Sequence, residues 1–307
     1  MNVDDSLWKG ILEDVFDDFL VFFFKEDAAQ FDLEKGFEFL DKELEQLFPS
    51  GDSKQALKFV DKLVKVFTKA GTEEWVLVHV EVQGYNDSAF AKRMFTYFYR
   101  ILDHYNKPVT CVAIFTDDSK SYQPTTYNYS YLGTKATFSY NTYKINDQDK
   151  EELRRSSNPF AIVILTALVA LKKGKVTEET LLDLKTDLIR ALLKKQIPKE
   201  KARSILIFIS NYVRFDNKEI TAKFEYELNV LTNNNTTMGI EEMILKRVGD
   251  EYLEIGIERG IEIGSNKKSW DVVKMLLIQT DFSFERIADM VGVEVSFVEE
   301  VKASLGD

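Results

Sequence analysis

A short run of alternating polar and apolar residues, from Val78 to Gly84, carries side chains suited to chemistry. His79, Glu81 and Gln83 alternate with valines, and in a β-strand such alternation predicts that the three polar residues share one face. A half-buried strand with a solvated polar face gives the same pattern, so the alternation alone does not identify a site.

The preceding apolar run adds a second carboxylate, that of Asp61. The sequence Ala70-Gly71-Thr72 separates the two runs as a hairpin turn. With Gly71 at its centre, Asp61 and Glu81 are equally far from the turn and are expected to face each other, with Cβ atoms roughly 5 Å apart. Two carboxylates so close suit a hard divalent cation that also binds phosphate oxygens.

Two residues on the predicted hairpin could support such a site. Lys65 has the strand parity of Asp61 and could supply positive charge, whereas Lys62 points to the other face. His79 could act as a base, because histidine titrates near neutral pH. A lone histidine on a strand is more often a hydrogen-bonded structural residue.

Three residues on the next predicted helix form one stripe: Arg93, Tyr97 and Arg100. They could clamp a phosphate or orient Glu81 and Gln83. Surface ion pairing and a packed tyrosine explain the stripe equally well.

Hydrophobic periodicity predicts the elements that would position these residues. Helices are predicted over 7–24, 33–47 and 88–105, strands over 58–68, 74–83 and 109–116, and one or two peripheral strands within 122–144. The strand–helix–strand passage predicts a parallel crossover. Asp117-Asp118 is expected to form a turn after the last of these strands.

The second half of the chain is predicted to be helical. Its helices are expected over 158–172 (buried, with Asn158-Pro159 as its start), 178–195, 199–213 and 219–231. A polar break at 233–237 precedes Gly256, Gly260 and Gly264, whose spacing suggests a weak helical connector or a dimer contact. Residues 281–305 have a helix-turn-helix pattern, but Glu299 and Glu300 disfavour contact with phosphates.

Composition limits the classes of protein to consider. Of 307 residues, 45% are hydrophobic and 30% charged, which is typical of a soluble globular protein. The single cysteine excludes an internal disulfide framework and, without a signal peptide, favours a cytoplasmic location. The longest apolar run is too short to span a membrane. A net charge of −11 lowers the expectation of nucleic-acid binding, although a metal-dependent nuclease can be acidic because its cations bridge carboxylates to phosphate.

The hairpin and the elements after it resemble the core of the PD-(D/E)XK nucleases: Asp61 is followed by Glu81-Val82-Gln83 and then by a helix and a strand. More narrowly, three segments resemble the recombination-promoting nuclease family, whose members are also described as transposases. These segments are WVLVHVEVQGYND, FAKRMFTYFYRI and VAIFTDD. The resemblance extends from Trp8 to about Leu231. It implies metal-dependent cleavage of DNA in bacteria, linked to recombination, mobile elements or defence.

The resemblance also implies roles for individual residues. Asp61 and Glu81 would bind Mg²⁺ or Mn²⁺, and Gln83 would complete the catalytic set. Gln83 stands where the wider superfamily has lysine, so it can orient a group by hydrogen bonds but cannot supply positive charge.

We therefore expect an α/β protein with a restriction-endonuclease-like mixed sheet flanked by helices, followed by an all-helical C-terminal region. The expected parts are a nuclease-like core (1–150), a helical extension packed on it (151–235), the glycine-periodic connector (236–266) and the tail (267–307). The expected function is that of an Mg²⁺- or Mn²⁺-dependent DNA endonuclease with no organic cofactor and no membrane partner. A homodimer is one expected oligomeric state. The alternatives are an inactive nuclease-fold interaction module and a DNA-binding regulator acting through its tail.

Overall fold

A computed structural model describes residues 3–40, 42, 44, 47, 60–81, 87–119, 121–233, 273–277, 280, 282–291 and 295–304. The chain divides into two compact units, Met1–Met238 and Gly239–Asp307. The predicted connector, 236–266, lies outside the described residues.

The N-terminal segment forms two helices rather than the single helix that its periodicity predicts. Helix α1 spans Val3–Asp14 and α2 spans Phe16–Phe24. Val15, between them, has φ −131° and ψ 33°, which is outside the α-helical region. A 3₁₀-helix, Lys25–Gln30, follows.

A mixed five-stranded sheet forms the centre of the first unit. Its strands are β1 (Phe37–Phe39), β2 (Val60–Phe67), β3 (Glu73–Glu81), β4 (Val109–Phe115) and β7 (Asn141–Lys144). Helix α3 (Phe90–Tyr105) joins β3 to β4. The strand order is β1-β2-β3-β4-β7. The β1–β2 and β2–β3 pairs are antiparallel, and the β3–β4 and β4–β7 pairs are parallel, as the strand–helix–strand passage predicts.

The two faces of the sheet are covered by different helices. One face packs against α3 through buried residues of the helix and of the strands: Leu63, Trp75, Leu77, Phe90, Met94, Ile101, Ala113 and Phe115. On the other face, the central strands contribute a buried aliphatic layer and the buried Lys62, and α1 contacts β2. The aliphatic residues are Val64, Val66, Val76, Val78, Val80, Val112 and Ile114. Burial on both faces accounts for the nearly continuous apolar composition of the central strands.

Strand β1 corrects the helix predicted over 33–47. Phe37 pairs with Val66 and Phe39 with Val64, and both phenylalanine rings pack against Phe16, at 5.0 and 5.7 Å. Sheet pairing with a distant strand therefore overrides the local helical periodicity. Helical residues occur only after Leu40, at Lys42, Leu44 and Leu47 among those described.

The segment between β4 and β7 adds a separate hairpin. Strands β5 (Thr126–Tyr131) and β6 (Thr134–Ser139) form a two-stranded antiparallel sheet, so this region holds three strands rather than one or two.

Residues 150–233 are mainly helical, as predicted. Its helices are α4 (Lys150–Arg155), α5 (Phe160–Ala170), α6 (Glu178–Leu193), α7 (Lys199–Tyr212) and α8 (Lys218–Asn233). Helix α5 is buried along nearly its whole length, and Asn158 Oδ1 accepts a hydrogen bond from Phe160 N at 2.8 Å before its first turn.

These helices close around the N-terminal helices. Trp8 meets the ring of Phe208 edge-on at 5.3 Å, and Lys201 forms ion pairs with Asp17 and Asp18. Asn158 Nδ2 donates to Asp18 O at 2.9 Å. The first and last parts of this unit therefore share one core.

A buried lysine of α6 caps the C-terminal end of α7 by donating hydrogen bonds to its carbonyl oxygens. Lys185 Nζ donates to the carbonyl oxygens of Ser210 and Val213, at 2.8 and 2.6 Å, and lies 3.8 Å from the centroid of the Phe224 ring. Only 2% of the residue is exposed. Carbonyls at a helix C-terminus and an aromatic face are both favourable partners for a cation.

The second unit contains the two short helices predicted for the tail, α9 (Phe284–Val291) and α10 (Val295–Ser304). They pack around Val273, Ile287, Ala288, Val298 and Val301. Ser283 Oγ accepts from Arg286 N at 3.4 Å and so caps the start of α9.

Candidate functional site

The register of the β2–β3 hairpin differs from the predicted one. Asp61 pairs with His79, not with Glu81. Gly71, with φ +83°, is the last residue of the loop rather than its centre, because Thr68 N donates to Thr72 O at 2.9 Å across the three residues between them. Three-residue hairpin loops commonly end on a glycine with positive φ, and this moves the midpoint to Ala70.

The correction keeps the two acidic positions close in the sheet. Asp61 is the second residue of β2, and Glu81 is the last residue of β3. Residues on a diagonal of an antiparallel pair are about 7–8 Å apart. The side chains of both residues lie outside the described set, and Gln83 lies outside it entirely.

Glu81 lies at the edge of the sheet where the parallel strands end, which we call the carboxyl edge. Its register partner is Phe115, the last residue of β4, and the partner of Phe115 is Lys144, the last residue of β7. Because β2 runs antiparallel to β3, Asp61 lies at this edge as well. The carboxyl ends of adjacent parallel strands are a frequent location for binding sites in α/β proteins.

His79 is fully buried. Its ring meets the ring of Phe90 edge-on, with 5.0 Å between the centroids. A histidine beneath the α3 layer does not reach a polymeric substrate directly, so this position favours a structural or supporting role over that of a base.

The two lysines of β2 lie on opposite faces, as their parity predicts. Lys62 is 3% exposed and forms an ion pair with Glu13 of α1. Lys65 Nζ lies 2.5 Å from the carboxylate of Glu38, its register partner on β1. Lys65 is four residues, or roughly 13 Å, along the strand from Asp61, so its position does not favour a role at the carboxyl edge.

The three stripe residues of α3 have different surroundings. Arg93 Nη1 lies 2.5 Å from Asp87 Oδ2, and its guanidinium carbon is 5.2 Å from the Phe90 ring centroid. Tyr97 belongs to the core, and Arg100 donates to Leu47 O at 3.1 Å. Arg93, next to Phe90, is therefore the member of the stripe that lies near the carboxyl edge.

A buried ion pair at the carboxyl edge was not anticipated from the sequence. Lys144 Nζ lies 2.5 Å from Asp117 Oδ1, and the two side chains are only 3% and 1% exposed. Asp117 Oδ1 also accepts from Ser119 N at 2.8 Å, which gives the turn expected there. An acidic residue directly after a buried strand was the available signal, but its partner comes from a segment with no comparable pattern.

This ion pair belongs to a network that links three segments. Lys144 Nζ also donates to Tyr122 O at 3.2 Å, and Tyr122 donates from its hydroxyl to Asp87 O at 3.1 Å. The ends of β4 and β7 are thereby joined to the segment that carries Asp87, the partner of Arg93.

Among the described side chains, no group of three or more His, Cys, Asp and Glu residues is arranged to hold a metal ion. The carboxylates of Asp61 and Glu81 are not part of that set. The metal assignment therefore depends on the backbone positions of the two residues and on the chemistry of carboxylates.

The tail helices do not present a basic surface. Exposed residues of α9 and α10 include Glu285, Asp289 and Glu299 beside Arg286 and Lys302. Carboxylates on both helices make contact with phosphates unfavourable, so the regulator alternative gains no support.

The chain was compared with protein-family models, curated proteins and solved structures. None of them matches. No helix among the described residues has both the length and the apolar character needed to cross a membrane.

Proposed function

We propose that the protein is a metal-dependent DNA endonuclease that hydrolyses phosphodiester bonds, with Asp61 and Glu81 as its metal-binding residues. The observation that carries the proposal is the backbone register, which puts both acidic positions at the carboxyl edge, on a diagonal of one hairpin. The link to recombination, mobile elements or defence comes from the family resemblance alone.

The topology supports the same assignment. An antiparallel hairpin, a helix and a strand parallel to the second hairpin strand follow one another in the chain. This is the order on which the resemblance to the PD-(D/E)XK core depends. A restriction-endonuclease-like fold is accordingly part of the proposal.

The donor set suits Mg²⁺ or Mn²⁺, because hard divalent cations are bound by one or two carboxylates together with water and phosphate oxygens. The three described lysines of the same sheet are held by other acids: Lys62 by Glu13, Lys65 by Glu38 and Lys144 by Asp117. A bound cation of this kind lowers the pKa of a coordinated water and neutralises charge on the phosphate.

The remaining residues have supporting roles in this proposal. Gln83 orients the attacking water or the phosphate by hydrogen bonds, since its amide carries no charge. Arg93, oriented by Asp87, serves as a hydrogen-bond donor to the phosphate. The Asp117–Lys144 pair fixes the ends of β4 and β7 and thereby the edge on which the site lies.

Cleavage of supercoiled plasmid tests the proposal. Purified protein is incubated with Mg²⁺, Mn²⁺ or EDTA, beside Asp61→Asn and Glu81→Gln variants. We expect nicking only with the metals, and a loss of at least about a hundredfold in either variant, as is typical when one catalytic group is removed.

The matched control is Asp187→Asn, which removes an exposed carboxylate paired with Arg190 on α6 and should leave cleavage unchanged. Equal cleavage by the wild type and the Asp61→Asn variant would refute the site. Absence of cleavage of plasmid, single strands and RNA by the wild type would refute the activity.

The second candidate is a non-catalytic interaction protein that keeps this fold. Gln83, in the position where the wider superfamily has lysine, and the net charge of −11 favour it. Its signature would be calorimetric Mn²⁺ binding that depends on Asp61 and Glu81, without turnover.

A further inference from the structure

One segment of this acidic chain contains no acidic residue. Aspartate and glutamate make up 51 of 307 residues, but none occurs from Ser119 to Asn146. In a stretch of that length, the average composition of the chain would give about five. The same segment contains six of the 13 tyrosines, and the hairpin β5–β6 lies within it.

The inner half of this hairpin is anchored to α3. Tyr127 and Phe138 are register partners. The ring of Tyr127 stacks on Phe95 at 5.0 Å, and the ring of Phe138 stacks on Phe98 at 4.6 Å. These contacts fix the direction of the hairpin.

The outer half carries apolar side chains into solvent. Tyr129 is 44%, Tyr131 65% and Leu132 87% exposed. We refer to these three residues as the hairpin tip. Three neighbouring exposed apolar side chains on a protruding element are typical of a binding surface rather than of chance exposure.

The turn at the tip is not optimised for stability. Leu132 has φ +42° and Gly133 has φ +88°, and a two-residue turn with two positive φ values strongly prefers Asn-Gly. Leucine in this conformation is strained, and here it gains almost no burial in return. Strain at an exposed position motivates a functional explanation.

The root of the hairpin is tied to the candidate site. Tyr122 contacts both Lys144 and Asp87, and Gln123 Nε2 donates to Thr142 Oγ1 at 3.0 Å. Strand β5 has six residues, so the tip reaches roughly 20 Å beyond the root. One bound nucleic acid can therefore contact both the carboxyl edge and the tip.

We propose that the hairpin tip is a nucleic-acid-binding element, in which Tyr129 and Tyr131 stack on bases and Leu132 inserts beside them. Aromatic rings stack on every base, and apolar side chains such as leucine wedge between base steps. The absence of carboxylates removes the repulsion that phosphates meet elsewhere on this chain. The inference rests on the proposed function for its substrate, DNA.

Fluorescence anisotropy with labelled single-stranded and duplex oligonucleotides tests the proposal on the full chain. The measurements are made in EDTA, so that binding is observed without cleavage. We expect the Tyr129→Ser/Tyr131→Ser double variant to lose at least about 25-fold in affinity, since each of the two lost base stacks weakens binding roughly fivefold or more. The control, Tyr226→Ser, removes a 71% exposed tyrosine from α8 and should bind like the wild type.

A single substitution separates function from stability. Leu132→Asn supplies the residue that the turn prefers, so it should raise Tm while it lowers affinity for nucleic acid. Unchanged affinity in both tip variants, or no binding by the wild type, would overturn the inference.

The outcome is independent of catalysis. Binding through the tip without any metal-dependent cleavage would leave the inference standing and refute the endonuclease. If the tip variants still cleave and still bind nucleic acid, the endonuclease proposal would stand and the proposed role of the hairpin tip would be refuted. Sedimentation velocity completes the test, because a dimer that dissociates in the tip variants would assign the tip to a second copy of this chain.

Discussion

Substitution of Asp117 by Asn should strongly destabilise the first unit. The change keeps the shape of the side chain but removes the negative charge 2.5 Å from Lys144 Nζ, where the two side chains are 1% and 3% exposed. Loss of one partner of a buried ion pair leaves an uncompensated charge and costs about 3–5 kcal/mol. For a unit of this size, each kcal/mol lowers Tm by about 2–4 °C, so a decrease of about 6–20 °C is expected.

Urea and thermal unfolding of four proteins measure the effect: wild type, Asp117→Asn, Lys144→Met and the double variant. The double variant should lose less than the sum of the two single losses, because it no longer contains an unpaired buried charge. The neighbouring residue offers a control. Asp118 pairs with Lys175 at the same distance, but both side chains are at least half exposed, so Asp118→Asn should leave Tm unchanged.

Additive losses in the double variant would refute the argument, as would a cost below about 1 kcal/mol for Asp117→Asn. Either result would mean that the pair is solvated in solution and does not fix the carboxyl edge.

Two further predictions concern buried titratable groups. Burial lowers the pKa of Lys185 to about 7, so between that pH and its unfolded pKa near 10.5 the native state binds fewer protons than the unfolded state, and the free energy of unfolding rises with pH. The expected rise is about 2 kcal/mol from pH 7 to pH 9. Urea titrations at the two pH values measure it, and a Lys185→Met variant that kept the same rise would assign it to other groups. Burial also raises the pKa of the Cys111 thiol to about 12; a maleimide at pH 8 should therefore label only the unfolded protein, and rapid labelling of the native protein would contradict the buried position.

The sequence predicted elements well where local pattern and tertiary environment agree. The strands around Asp61 and Glu81, helix α3 and the buried helix α5 all have compositions that match their burial. Prediction was wrong where a distant partner decides the structure. Residues 37–39 form a strand because β2 offers an open edge, and the phenylalanines there pack on Phe16.

The candidate site was predictable in kind but not in register. The alternation along β3 depends only on the period of a strand, whereas the pairing of Asp61 depends on whether Gly71 is the centre or the end of its loop. A shift of the midpoint by one residue changes the opposite residue from Glu81 to His79 but preserves parity. The Asp117–Lys144 pair was beyond prediction, because two strands of the sheet must form before these residues meet.

The contact between Trp8 and Phe208 has a consequence for the protein during its synthesis. Roughly 200 residues separate the two rings, and a ribosome needs about 10–40 s to add them at 5–20 residues per second. Until α7 emerges, α1 cannot bury Trp8 completely, and until α5 emerges, Phe19 lacks its contact with Phe160. The nascent chain therefore exposes these aromatic side chains for much of its translation.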